Sequence, residues 1–82
     1  MVMAIWSDDP EFYEALFGGS DLLEHVFVKM NQTDTTTIVE RFKLSAISEN
    51  IFTRSDKHKY ICVIAEDAKT ATANMKETMK SV

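Results

Sequence analysis

Asp8, Asp9, Glu11, Glu14, Asp21 and Glu24 put six carboxylates into the first 28 residues, with no lysine or arginine among them. All nine bases fall between Lys29 and Lys80, facing seven further acids. The net charge of −4 therefore combines an N-terminal −6 with a remainder of +2. Surface helices usually interleave both signs, and this stretch does not. Asp8, Glu11 and Glu14, and again Asp21 and Glu24, recur at three-residue steps, which on a helix brings β-carbons to about 5–6 Å. That is close to the separation of successive phosphates along a nucleic-acid strand. Carboxylates held at such a pitch could occupy a basic groove built for DNA and gain the same counterion release. A solvated helix face, its acids matched to the helix dipole, explains the same residues without a partner.

The remaining reactive side chains form no recognisable set. His58 and Cys62 stand four apart across an expected turn and strand, and His25 is remote, so no metal site is expected. His25 reads as a half-exposed strand residue and Cys62 as a small core residue. There is no Gly-rich phosphate loop, no serine elbow and no His-anchored constellation, so no catalytic residue and no cofactor are expected. The pairs Asp8-Asp9 and Glu66-Asp67 fall at helix starts, where capping accounts for them. Arg41, Lys43, Arg54, Lys57, His58 and Lys59 cluster mid-chain, where Tyr60 or Phe52 could stack on bases. An acidic chain nonetheless lacks the basic footprint that direct nucleic-acid binding needs. The same cluster could equally meet the acidic end of another subunit.

These side chains must be placed by a small fold. Asp9-Pro10 reads as a helix N-cap followed by proline at the first helical position. Phe12, Tyr13, Leu16 and Phe17 follow at helical spacing until Gly18-Gly19 stops the helix. Residues 23–30 read as a strand, with a helix over 21–30 as the alternative. After the polar turn at 31–34, residues 35–44 are rich in β-branched types and read as the second arm of a hairpin. Ile51-Phe52 adds a short strand or one helical turn, and residues 55–58 form a turn. Residues 59–65 are the most apolar strand, expected at the centre of the sheet. From Asp67 a helix follows, with Ala68, Ala71, Met75, Met79 and Val82 as its buried stripe. The expected architecture is α+β: an N-terminal helix, an antiparallel three- to four-stranded meander, and a C-terminal helix packed on one sheet face.

The chain of 82 residues reads as one small domain with a modest core. Its lone cysteine suits a reducing, cytoplasmic setting, and no apolar run is long enough to cross a bilayer, so no membrane is expected. Met1, Met3, Trp6, Phe12, Tyr13 and Phe17 are many apolar groups for a two-turn helix on one thin sheet. Trp6, Tyr13 and Phe17 are therefore candidates for a homodimer or other apolar contact. A dimer through them would set two acidic segments side by side.

A short, cysteine-poor chain with its carboxylates gathered on one segment resembles the small host-takeover proteins of large phages, including anti-restriction inhibitors of the DNA-mimic type. The resemblance rests on Asp8, Asp9, Glu11, Glu14, Asp21 and Glu24, and the nine basic residues depart from it. It implies a non-enzymatic inhibitor that occupies the DNA site of a host DNA-binding protein or nuclease. The alternatives are a small adaptor recognising a protein through an apolar patch, and a nucleic-acid binder using the central basic cluster.

Overall fold

A computed structural model of the chain describes residues 1–18, 27–29, 33–55 and 57–80. Eight elements follow one another: β1 (Val2–Ser7), α1 (Pro10–Phe17), β2 (Phe27–Lys29), α2 (Asp34–Arg41), β3 (Ser45–Ser48), β4 (Ile51–Arg54), β5 (His58–Ala65) and α3 (Ala68–Met79). The strands form one antiparallel sheet in the order β2-β1-β5-β4-β3. The expected α+β class holds, with an N-terminal helix, a β3-β4-β5 meander and a C-terminal helix on one face. Helices cover both faces. Met3, Ile5, Tyr60 and Cys62 meet Phe12, Tyr13, Ile38 and Leu44 on the α1/α2 side. Ala4, Ile61 and Val63 meet Ala71 and Met75 of α3 on the other.

Two local expectations are corrected. The opening apolar stretch is not surplus surface but the strand β1, hydrogen-bonded between β2 and β5. Period-2 alternation sends Met3 and Ile5 to one covered face and Ala4 to the other, so both sets are buried. Residues 35–44 do not form a strand; most of them lie in α2. Ile38 and Phe42 are one helical turn apart and face the core together, whereas strict alternation would have put the exposed Glu40 beside them. The threonines are compatible with the helix because Thr37 Oγ1 donates back to the Thr33 carbonyl at 3.1 Å. The helix ends in a Schellman closure. Lys43 N–H reaches the Glu40 carbonyl, Leu44 N–H reaches the Val39 carbonyl, and Lys43 takes φ 53°.

Other boundaries fall where local chemistry puts them. Asp9 caps α1 ahead of Pro10, and Gly18 ends it at φ 72°, a conformation that favours glycine. Residues 27–29 of the expected strand form β2; its other positions, and His25 among them, lie outside the described residues. Lys57 N–H bonds the Arg54 carbonyl across the turn into β5. In α3 the buried stripe is narrower than expected. Ala71 and Met75 are covered, Ala68 and Met79 are exposed, and Val82 lies outside the described residues. Met75→Ala should therefore cost about 2–5 kcal/mol and Met79→Ala less than about 1 kcal/mol, a contrast that urea unfolding monitored by circular dichroism can check.

Candidate functional site

The acidic segment folds against the basic cluster of its own chain. As β1 ends, Ser7 faces the α1 side of the sheet, and its N–H donates to the Tyr13 hydroxyl at 2.8 Å. Ser7 Oγ accepts the Asp9 N–H at 3.0 Å, which turns the chain sharply into the helix. Asp9 Oδ1 then accepts the Glu11 N–H at 3.0 Å as the N-cap. Asp9 Oδ2 takes the Tyr60 hydroxyl proton in a hydrogen bond and lies 3.0 Å from Arg54 Nη2. The same Nη2 donates to Glu11 Oε2 at 2.7 Å, and this bond raises the guanidinium further above its usual range. Asp8 Oδ1 accepts the Lys59 N–H at 3.0 Å and lies 3.2 Å from His58 Nδ1.

This corner joins the end of β1 and the start of α1 to the β4–β5 hairpin, which is remote from both in sequence. Asp9 is 0% exposed, so it presents no charge to a partner and is corrected from a binding residue to a buried structural one. Asp8 and Glu11 reach solvent, but each already has a cationic or donor partner. Glu14 is exposed on the same helix. Asp21 and Glu24 lie outside the described residues. The row therefore survives only in part, interrupted by a guanidinium. The Arg54 and His58 side chains, and Lys59 through its main-chain N–H, do meet an acidic end, but in their own chain.

The apolar candidates separate as well. Tyr13 is 0% exposed, wedged beside Phe12 with ring centroids 5.4 Å apart, and is corrected from a surface contact to a core residue. Burial is what removes it, because β1 supplies a second wall. Phe17 stacks on Tyr13 at 5.9 Å and remains 38% exposed. Trp6 is half-buried on the α3 face, lining a small hollow with Lys59, Ile61 and Met79. Other exposed apolar groups went unanticipated. Ile47 on β3 is 52% exposed and Ile64 on β5 is 41% exposed. Nothing in the residue types marks them, since exposure here follows from strand order and strand length.

Among the described residues no group of three His, Cys, Asp or Glu side chains could hold a metal ion, and no helix is long and apolar enough to cross a membrane. Cys62 is buried, and burial pushes its thiol up to about 12. No protein-family model, no curated protein and no solved structure matches the chain.

Two outcomes follow from the corner. Asp9→Ala removes the cap, leaves the buried Tyr60 hydroxyl without its acceptor and leaves Arg54 with Glu11 alone, so it should cost about 2–4 kcal/mol. Asp9→Asn keeps a capping oxygen and should cost less, as denaturant unfolding of the two variants can measure. Alkali should act through three raised acids. Burial foremost raises Tyr13, Tyr60 and Cys62, and the Asp9 carboxylate raises Tyr60 further by accepting its proton. The folded chain then holds protons that the unfolded chain releases from about pH 9 upward, so stability is full below that point and falls as pH rises beyond it. Both tyrosines of the chain should ionise together with the loss of far-ultraviolet dichroism; a tyrosinate absorbance step near pH 10 in a still-folded chain would contradict this.

Proposed function

We propose that the chain is a non-enzymatic, partner-binding domain that recognises a protein through its open sheet edge. One observation carries the reading. The outermost strand, β3, is exposed at all four residues, Ser45, Ala46, Ile47 and Ser48, and none of them is charged. Edge strands that must stay unpaired usually carry lysine, proline or an inward charge. Here the devices are the strand's shortness and a register shift between Ala46 and Ser48, at Ile47, which is 52% exposed. An uncharged edge with an exposed isoleucine suits strand addition by a protein partner, in which main-chain hydrogen bonds give affinity and Ile47 supplies an apolar anchor.

A second reading, inhibition of a host DNA-binding protein or nuclease by imitation of DNA phosphates, is favoured by Glu11, 75% exposed at its side chain, and the exposed Glu14 on one short helix. The internal pairing of Asp8, Asp9 and Glu11 weighs against it, because a polyanion mimic needs its carboxylates unmatched.

Salt separates the two. Capture of a partner from lysate through β3 should change little between about 50 and 200 mM salt, whereas capture by phosphate-like carboxylates should fall steeply. Ile47→Lys should abolish capture with the fold intact, and Glu11→Gln with Glu14→Gln should leave it unchanged. The opposite pattern would reject the sheet-edge reading in favour of the mimic.

A further inference from the structure

A slot interrupts the sheet on the far side of the β3–β4 turn. β4 pairs with β5 only from Ile51 opposite Ile61 to Arg54 opposite His58, and the last link is the Cys62 N–H to the Asn50 carbonyl at 3.1 Å. β5 continues to Ala65. Beyond Asn50, no described residue pairs with it on that side. Backbone groups alternate along a strand, so Ile64, two residues past Cys62, turns its N–H and carbonyl toward the same vacant line. The vacancy is a concavity of about 630 Å³. Ile64 lies on its β5 wall, Thr35 of α2 closes it above, Asn74 and Glu77 of α3 close it below, and Glu49 stands at the turn. Helices thus hold open the space where β4 would have run had it been longer.

We propose that this slot binds an extended, basic peptide segment of a protein partner, which completes β4's line and pairs with β5 at Ile64. The proposal rests on the partner-binding reading above but uses a different edge. Length sets the register. Residues 63–65 offer about 10 Å of strand, enough for three or four residues of an extended chain. Charge selects the sign. Among the described residues, and apart from the buried Cys62 thiol, the ionisable side chains lining the slot are Glu49 and Glu77, both acids. Lys80 lies 3.5 Å from Glu77, but both side chains are more than three-quarters exposed, a screened contact that a competing ammonium can displace. Ile64, exposed beside the buried Val63 and Cys62, gives the segment one apolar contact.

The test uses a blocked peptide, Lys-Val-Thr-Val-Lys, titrated into the folded protein while backbone amide resonances are followed. Binding that moves the amides of Val63, Ile64 and Ala65, and that weakens about fivefold to tenfold in the Glu49→Gln, Glu77→Gln double variant, is the expected result. The same peptide with its three central amides methylated should not bind, because it cannot pair with a strand. Glu-Val-Thr-Val-Glu should bind at least fivefold more weakly. An Ile64 amide unmoved at millimolar peptide, equal binding of the methylated peptide, or equal binding of the acidic peptide would each overturn the proposal. A chain that ignores every peptide yet loses its lysate partner on Ile47→Lys would keep the sheet-edge reading and lose the slot.

Discussion

A single buried carboxylate ties this fold together. Asp9 receives the Glu11 amide on one oxygen, and the Tyr60 hydroxyl and the Arg54 guanidinium on the other. A carboxylate taken out of water is tolerated only when its lone pairs are met, and here the partners come from α1, β4 and β5 at once. Satisfying the charge therefore fixes where the first helix leaves the sheet and how the β4–β5 hairpin lies against it. Ser7 and Tyr13 close the same corner from behind through the Ser7 amide and hydroxyl.

That corner also decides what the surface can do. Carboxylates read as a free anionic row become, in part, the cement between N-terminus and hairpin, and the guanidinium opposite them is drawn out of the basic cluster. On the proposed reading, what is left for recognition is main-chain geometry. Among the described residues β3 has no neighbour on its outer side, and β5 outruns β4. Both are consequences of strand length and order rather than of any reactive side chain. Recognition by strand addition needs no motif, which fits a chain whose residues spell none.

Much of the fold was legible where local chemistry is strong. Asp9-Pro10 and Gly18 bounded α1, the apolar run at 60–64 marked the central strand, and Asp67 began α3, its carboxylate taking the Thr70 N–H at 2.7 Å. Legibility failed where two periods fit the same residues. Residues 35–44 carry β-branched types that favour strands, yet Ile38 and Phe42 needed the core that a helix could reach. β1 was missed because Met1 to Trp6 has no polar alternation; a strand covered on both faces reads as a plain apolar run. The site was legible in composition but not in pairing. The clustering of Asp8, Asp9 and Glu11 and of Arg54, His58 and Lys59 is visible in the chain, but that the two clusters meet depends on β1 and β5 lying side by side.

The antiparallel ladder of β1 on β5 has a consequence for biosynthesis. Val2 lies opposite Ala65 and Ser7 opposite Tyr60, so about fifty to sixty residues of chain must be made between β1 and the central neighbour it pairs with. During translation Met3 and Ile5 emerge before β5 and stay incompletely covered while the intervening segments are added. Chaperones that bind short apolar stretches would meet this chain at β1, and a nascent fragment halted before β5 would carry an apolar strand with one edge unpaired, prone to clump with its like.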